Sequence, residues 1–397
     1  MLPASPWPTA PAWTVLRSRD ELGGDLPLLS LSAEHGLRAR EEGQGRAASD
    51  DLSGYRAVRP GDLVINRLSA RDGGFAVSPL IGLVSPAYWV FRASPERVDS
   101  RWLDYVLRSA PYKAELKRIS KFMPPAQFDL PWDQLRRLPV PLPPVGMQRQ
   151  VADFLDAATA SIDGLMRLRE ELDALLNEHL DAELATTISA QAEPWLPLRR
   201  VIERWIDYRG ATPVKTTSGV PLVTAGNIKR GGISFDKAVE FISRDDYHDW
   251  MRRGLPQRGD VLLTTEAPLG EVAQVDDDGV ALAQRVILLR PDPSVMMPRW
   301  LYWALRSHPV QASLFSMATG STALGIKADR LRSLHVPVPT LGTQEALVSQ
   351  LDVAMERREG LRPVFRRQVA LLAERRQALV TAAVMGEVDV ATARGVV

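Results

Sequence analysis

The chain contains no cysteine, so neither a disulfide framework nor a thiolate metal site can form. Its five histidines are scattered without the short spacing of shared metal ligands, and no metal site is expected. No uninterrupted apolar run approaches the roughly 20 residues that a membrane-spanning helix needs. The first eleven residues have neither a basic leader nor an apolar core and do not resemble a signal peptide. These absences predict a cytoplasmic protein with no membrane segment and no cofactor.

An excess of charge of one sign is also missing. Forty-nine Lys and Arg residues stand against 48 Asp and Glu residues, which leaves a net charge of +1. Composition alone therefore does not indicate a nucleic-acid-binding protein, and any basic surface must come from local segregation of charge. The balance keeps open a second hypothesis, a coiled-coil adaptor or scaffold that binds proteins and ignores DNA.

Motifs that carry catalysis are lacking as well. The sequence has no Gly-rich phosphate loop with Lys-Ser/Thr, no Asn-Pro-Pro-aromatic motif and no glycine motif for a methyl donor. The acidic run at 276–279 lacks the later glutamate of a calcium loop and is typical of a hairpin turn. We therefore expect no catalytic residue, and a fused nuclease or methylase is disfavoured.

What the chain does have is an internal repeat. Gly61-Asp62 recurs as Gly259-Asp260, 198 positions later, and Leu155-Asp156 recurs as Leu351-Asp352, 196 positions later. Further pairs keep the same two offsets: Arg101-Trp102-Leu103 with Arg299-Trp300-Leu301, Leu107-Arg108-Ser109 with Leu305-Arg306-Ser307, and Gln148 with Gln344. Two copies are too few for a solenoid. The repeat predicts two lobes related by approximate two-fold symmetry.

Each repeat begins with a globular part, 1–143 or 191–339. Short β-rich runs bounded by Gly, Pro and Asp precede an amphipathic helical segment at 100–109 or 297–307, which indicates an α+β fold. Trp102 and Trp300, in those segments, are predicted core anchors. The first globular part is about 16 residues shorter between its early Trp and its Gly-Asp, so the repeats differ inside their globular parts.

Each repeat ends with a long helix, 144–190 or 340–390, and a tail follows at 391–397. Apolar residues at alternating spacings of three and four indicate a coiled-coil seam. Forty helical residues would span about 60 Å. If the helices pack against each other antiparallel, the globular parts lie at opposite ends. Pro363 predicts a bend or a brief break near 360–363.

The junctions between globular part and helix resemble those of one family. Leu138-Pro139-Val140-Pro141-Leu142-Pro143 before Gln148, and Leu334-His335-Val336-Pro337-Val338-Pro339 before Gln344, are similar to the junctions of specificity subunits of type I restriction-modification systems. Other pieces fit the same family: Ala225-Gly226-Asn227-Ile228, Arg258-Gly259-Asp260-Val261-Leu262, Ala283-Gln284-Arg285-Val286 and Gly320-Ser321-Thr322. The resemblance covers nearly the whole chain, although the first repeat lacks a clear Gly-Asn-Ile counterpart.

The resemblance implies a DNA-reading scaffold without chemistry of its own. Each globular part would be a target-recognition domain that reads one half of a bipartite, asymmetric site in double-stranded DNA. The two helices would fix the spacing and dock methyltransferase subunits, two by symmetry, and a restriction subunit would complete the assembly. A rigid spacer can hold two readers on major-groove segments about 34 Å apart.

DNA contacts are expected from polar side chains in loops. In the first repeat the candidates are Asn66, Arg67, Arg71 and Lys121. In the second repeat they are Arg209, Thr212, Lys215, Thr216, Asn227, Lys229, Arg230, Ser321, Thr322 and Lys327. For any single one of these, a solvated loop residue is the competing interpretation.

The junctions and the second helix supply candidates for docking partner subunits. They are Gln148, Gln344, Arg358, Arg362 and Arg366. For the helix arginines, docking or pairing with acidic residues of the first helix is favoured over phosphate binding.

Overall fold

The computed structural model describes residues 2, 6–32, 36–40, 51–124, 127–190, 194–208, 212–236, 239–320, 324–388 and 390. The chain divides into two compact units. Unit 1 comprises residues 1–170 with 366–397, and unit 2 comprises residues 171–365. Each unit therefore contains one globular part together with a stretch of each long helix.

Nine α-helices occur in the described residues. They are α1 Ser100–Arg108, α2 Ala110–Ile119, α3 Trp132–Leu135, α4 Val145–Ser189, α5 Tyr247–Trp250, α6 Pro298–Arg306, α7 His308–Ser316, α8 Ala328–Leu331 and α9 Leu341–Val384.

Twelve strands occur in the described part of each unit. Those of unit 1 are β1 Thr9–Pro11, β2 Leu16–Ser18, β3 Leu29–Ser32, β4 Gly36–Ala39, β5 Arg56–Val58, β6 Leu63–Asn66, β7 Phe75–Val77, β8 Gly82–Val84, β9 Tyr88–Ala93, β10 Lys121–Met123, β11 Gln127–Asp129 and β12 Pro139–Pro141. Those of unit 2 are β13 Trp195–Pro197, β14 Ile202–Asp207, β15 Lys215–Thr216, β16 Val220–Val223, β17 Ile228–Lys229, β18 Gly232–Ile233, β19 Glu240–Ile242, β20 Val261–Thr265, β21 Leu269–Gln274, β22 Ala281–Leu282, β23 Val286–Pro291 and β24 His335–Pro337.

Unit 1 is built on the antiparallel sheet β2-β9-β6-β7. Successive residues of β6 point to opposite faces of this sheet, as strand geometry requires. Leu63 and Ile65 face a core that contains Trp102 of α1, whereas Val64 faces a second core closed by the pairs β3-β4 and β5-β8. The sheet is therefore buried on both faces.

Unit 2 repeats this frame with the antiparallel sheet β14-β23-β20-β21. Val261 and Leu263 face the core around Trp300, and Leu262 faces the opposite core. That second face is closed differently from unit 1, by the sheet β15-β19-β16-β22, in which β16 and β22 run parallel. The two units share the central sheet and the helices packed on one face of it. They differ in the strands that close the other face, here called the cover: β3-β4 and β5-β8 in unit 1, and β15-β19-β16-β22 in unit 2.

The two tryptophans predicted as core anchors are fully buried. Trp102 donates its Nε1–H to the carbonyl oxygen of Pro141 at 3.0 Å, and Trp300 does the same to Pro337 at 2.9 Å. Each anchor thus ties a globular helix to the strand that leads into a long helix.

The α+β class and the two long helices predicted from the sequence are confirmed. In unit 1, Val151 and Leu155 near the start of α4 pack with Val380 and Val384 near the end of α9. In unit 2, Leu184 and Ile188 near the end of α4 share a core with residues near the start of α9. The stretches of the two helices therefore run antiparallel in both units.

One detail of the second helix differs from expectation. The sequence predicts a bend or a break at Pro363, but α9 is assigned without interruption from Leu341 to Val384. The predicted break is wrong, because the helix is assigned through Pro363. A bend at this position stays a prediction.

Candidate nucleic-acid interface

The first junction is held by a buried glutamine in the opening turns of α4. Gln148 is 0% exposed. Its Oε1 accepts the backbone N–H of Asp99 at 2.9 Å, and its Nε2 donates to the carbonyl oxygens of Arg97 and Pro143 at 3.0 and 2.8 Å. All three partners are backbone groups, so the amide joins the helix to the loop that precedes α1.

The second junction repeats this geometry. Gln344 is also 0% exposed; its Oε1 accepts the N–H of Met297 at 2.8 Å, and its Nε2 donates to Val295 and Pro339 at 2.9 and 2.8 Å. Gln148 and Gln344 were expected to dock partner subunits. Both side chains are buried and hydrogen-bonded inside their own units, a placement that conflicts with this expectation.

Arg358, also expected at a docking surface, lies against the first helix instead. Its guanidinium donates to the side chain of Asn177 and forms an ion pair of 2.8 Å with Glu359. Burial lowers the pKa of Arg358 from its ordinary value. This side chain is 8% exposed and pairs the two helices within unit 2, a placement that favours helix pairing over docking.

The remaining docking candidates differ in exposure. Arg362 pairs with Glu359 at 3.2 Å and its side chain is only 13% exposed, whereas Arg366 is exposed. Arg366 is therefore the one arginine of this group with an open guanidinium. Docking by it remains a prediction.

In unit 1 the DNA candidates gather where β6 ends. Asn66 closes β6, and its Oδ1 accepts the N–H of Leu68 at 3.1 Å. Arg67 forms a two-point ion pair with Asp129 of β11, at 2.8 and 3.0 Å. Hydrogen bonding to that carboxylate raises the pKa of Arg67. The side chain is 38% exposed, so one edge still faces solvent.

The β10–β11 hairpin stands beside this strand end. The guanidinium carbon of Arg71 lies 3.6 Å from the ring centre of Phe128 in β11. Lys121 in β10 is exposed. The structure therefore brings Asn66, Arg67, Arg71 and Lys121, which span more than fifty positions of sequence, to one end of the central sheet.

In unit 2 a cleft of about 350 Å³ opens beside the corresponding end of β20. Thr212 and Lys215 line it on one side, and Gln284 and Arg285 line it on the other. The Thr212 hydroxyl donates to Oε1 of Gln284 at 3.2 Å, and Lys215 pairs with Glu240 at 2.8 Å. The cleft offers cations, an amide and hydroxyls, which are the groups that recognise phosphates and base edges.

Four other candidates of unit 2 lie on exposed positions: Thr216, Lys229, Arg230 and Lys327. The Thr216 hydroxyl bonds to the carbonyl oxygen of Ser218 at 2.8 Å. Arg230 forms the tip of the β17–β18 hairpin together with Gly231, and both have positive φ, as a type I′ turn demands. A turn of this kind holds the Arg230 side chain outward.

Asn227 has a structural role. It is 6% exposed, its Oδ1 accepts the backbone N–H and the hydroxyl of Thr224, and its Nδ2 donates to the carbonyl oxygen of Ser234. The Gly-Asn-Ile motif therefore shapes a turn, and the expectation that Asn227 reads DNA conflicts with this placement. Arg209, Ser321 and Thr322 lie outside the described residues.

Reasoning from the sequence missed two residues of the cleft as candidates. Gln284 and Arg285 belong to a motif that resembles the family, but nothing in their spacing indicated exposure. Arg285 is 48% exposed and its guanidinium lies 4.0 Å from Glu266. A polar pair directly before the buried strand β23 was the available signal, since polar residues at a strand end reach the rim of a sheet.

The described residues offer neither a metal cluster nor a membrane-spanning helix. No group of three or more His, Asp or Glu side chains there is arranged to hold a metal ion. None of the helices described is both long and apolar enough to cross a bilayer.

Comparison with known proteins confirms the resemblance inferred from the junctions. The chain is 21% identical over 241 residues to the type I restriction enzyme EcoBI specificity subunit of Escherichia coli, covering 54% of this chain and 50% of that protein. It is 22% identical over 235 residues to the putative specificity subunit S.HindORF215P of Haemophilus influenzae, covering 55% and 56%. The alignments thus span about half the length of these curated relatives. No protein-family model matches the chain.

Solved structures share the fold over almost the whole chain. A chain solved in work on complex assembly and conformational transition of the type I R-M system has a TM-score of 0.74 and 19% identity, covering 98% of this chain and 100% of that one. The HsdS subunit from Thermoanaerobacter tengcongensis has a TM-score of 0.53 and 19% identity, with 98% of both chains covered. At this identity the likeness concerns the fold.

Proposed function

We propose that this chain is the specificity subunit of a type I restriction-modification system. It binds double-stranded DNA at a bipartite, asymmetric sequence, carries no catalytic group, and docks methyltransferase subunits, two by the symmetry of the repeat, together with a restriction subunit. Residues 1–143 and 191–339 act as target-recognition domains, and 144–190 and 340–390 act as spacers.

One observation carries this proposal: the same frame is built twice, and only its cover differs. Both units share the central sheet, the buried tryptophan and the junction glutamine. The elements that close the second face of each sheet differ in how their four strands pair: two separate antiparallel pairs in unit 1, and one four-stranded sheet with the parallel pair β16-β22 in unit 2. A protein that reads two different half-sites from one scaffold needs such a combination.

The side chains at the ends of β6 and β20 suit this role. Each end carries exposed or partly exposed cations: Arg67, Arg71 and Lys121 in unit 1, and Lys215 and Arg285 in unit 2. Arg67, Lys215 and Arg285 each also lie within 4.0 Å of a carboxylate. Local segregation of charge provides a DNA surface without a basic composition. Exposed cations bind phosphates, and Gln284 has the amide that can pair with an adenine edge.

The test is a selection experiment with the full chain and its methyltransferase partner. The complex is incubated with a random duplex library, bound duplexes are sequenced, and the enriched site is footprinted. We expect two short specified segments separated by an unspecified spacer. Binding should weaken steeply as salt rises, by about 0.9 in log–log slope per phosphate neutralised.

A protein adaptor would behave differently in the same experiment. It would enrich no sequence, and any retention of DNA by the complex would be the same for all duplexes. That result would refute the proposed function.

A further inference from the structure

The β10–β11 hairpin of unit 1 exposes two large apolar side chains. All three residues of β10 are exposed, Phe122 at 56% and Met123 at 44%. A two-stranded hairpin alone is marginally stable in water. The hairpin must therefore be held by contacts with the rest of unit 1, and those contacts fix the position of the exposed Phe122 ring.

The support behind the hairpin comes from the end of β6. Arg67 holds Asp129 through two hydrogen bonds of 2.8 and 3.0 Å, and the Arg71 guanidinium lies 3.6 Å from the centre of the Phe128 ring. The Phe128 ring in turn meets Phe122 edge to face, with centroids 5.3 Å apart. Phe122 is thus the outermost ring of a braced stack, so little side-chain entropy is lost when it binds.

Two exposed lysines lie close to Phe122 along the chain. Lys121 precedes Phe122 in β10 and is exposed, and Lys117 on α2 is also exposed. Lysine is depleted from the centres of protein–protein interfaces, whereas it is a common phosphate ligand in nucleic-acid complexes. An exposed aromatic ring beside an exposed lysine in the same strand suits a base and a neighbouring phosphate better than it suits an apolar protein surface.

The position of the hairpin in the fold points the same way. The N–H of Leu130, just after β11, donates to the carbonyl oxygen of Arg67 at 3.0 Å. In unit 2, Ile326 donates in the same manner to Thr265 at 3.1 Å, two residues before Ala267, which lines the cleft. The hairpin therefore occupies the part of unit 1 that corresponds to the cleft side of unit 2.

We infer that Phe122 is a wedge that inserts beside a base step of duplex DNA, with Lys121 on a neighbouring phosphate. This inference rests on the proposed function, and it names the residue through which unit 1 distorts its half-site. Insertion of an apolar side chain partly unstacks the step and bends the duplex. The energy of that distortion depends on the sequence, so the wedge contributes specificity without a hydrogen bond to a base.

The experiment compares Phe122→Ala, Phe122→Tyr and wild type, each as the full chain with its methyltransferase partner. The probe is the selected duplex with 2-aminopurine placed in turn along both half-sites. Trp13→Ala is the matched control: Trp13 is 59% exposed and precedes β2, at the end of the sheet opposite to Asn66. Co-purification with the methyltransferase and the thermal midpoint are recorded for every variant.

We expect wild type and Phe122→Tyr to raise 2-aminopurine fluorescence at one step of one half-site. Phe122→Ala should abolish that rise and weaken binding about 10-fold or more, while Trp13→Ala keeps both properties. Loss of the methyltransferase from Phe122→Ala would overturn the inference by making the hairpin a protein contact. So would an unchanged affinity and fluorescence. Both outcomes leave the proposed function standing, which fails only if wild type selects no sequence.

Discussion

Gln344, in the first turns of α9, accepts a hydrogen bond of 2.8 Å from the backbone N–H of Met297, immediately before α6. The bond spans 47 positions and links the long helix to the globular part of its unit. Gln148 makes the equivalent bond to Asp99 at 2.9 Å. One buried amide therefore helps to fix each long helix to its globular part.

Replacing that amide should destabilise the junction. Gln344→Ala leaves two buried carbonyl groups and one N–H without partners, and we expect a loss of about 2–4 kcal/mol in unfolding free energy. Faster hydrogen exchange at Met297 would localise the loss. Gln350→Ala is the control, because Gln350 is exposed and bonds only Glu183; its cost should stay below about 0.5 kcal/mol. Equal effects of the two variants would contradict the assignment.

The polar contact between Arg358 and Asn177 should be replaceable by apolar packing. Arg358→Met combined with Asn177→Leu should leave unfolding free energy unchanged or raise it, since a buried charge carries a desolvation cost. Asn177→Leu alone should lower it by about 1–3 kcal/mol, because the guanidinium loses its partner on α4 and keeps only Glu359. Urea unfolding of wild type, both single variants and the double variant gives the coupling free energy between positions 177 and 358. A double variant less stable than Asn177→Leu would disprove this view.

Substitution of glycine by alanine should change the unfolding free energy in opposite directions in the long helices and at Gly219 of unit 2. A Cβ at Gly164 or Gly360 would meet nothing within 4 Å. Each substitution should raise unfolding free energy by about 0.8–1 kcal/mol through helix propensity. Gly219 has a φ of +140°, and a Cβ there would lie 2.1 Å from the Ile242 carbonyl oxygen. Gly219→Ala should cost about 1–3 kcal/mol, and a neutral result in thermal unfolding would count against this backbone geometry.

Cations of the unit 2 cleft should contribute to DNA affinity through phosphates. If the proposed function holds, Lys215→Ala and Arg285→Ala each flatten the log–log salt dependence of binding by about 0.9. Arg200→Ala is the control, since Arg200 is exposed before β14, at the end of the sheet opposite to the cleft. Fluorescence titrations at several salt concentrations measure the slopes. Identical slopes for wild type and the three variants would show that Lys215 and Arg285 do not contact DNA phosphates.

Much of the fold could be predicted because periodic patterns report burial directly. The apolar spacing around Leu155 and Leu351 predicts the two helices, and the observed bounds differ from expectation by two residues or fewer at most ends. Trp102 and Trp300 were recognisable as core residues because a large aromatic ring on the apolar face of an amphipathic helix is usually buried.

The burial of polar side chains was not predicted from the sequence. Gln148, Asn227 and Arg358 look in sequence like surface groups, yet all three are buried. Two of them bond backbone groups, and Arg358 bonds the other long helix. A backbone partner has no signature in the sequence, because every residue offers the same N–H and carbonyl oxygen. Burial of a polar side chain therefore cannot be inferred without the fold.

The sequence by itself determined the duplication, the two helices and their junctions, since a repeated offset and a helical period are properties of order along the chain. Only the tertiary structure decided which polar groups face solvent and which meet one another. Arg67 and Asp129 are 62 positions apart, and Thr212 and Gln284 are 72 apart, yet each pair is in contact. Such contacts depend on how strands pair in a sheet, and strand pairing is set by the packing of whole cores rather than by any local pattern.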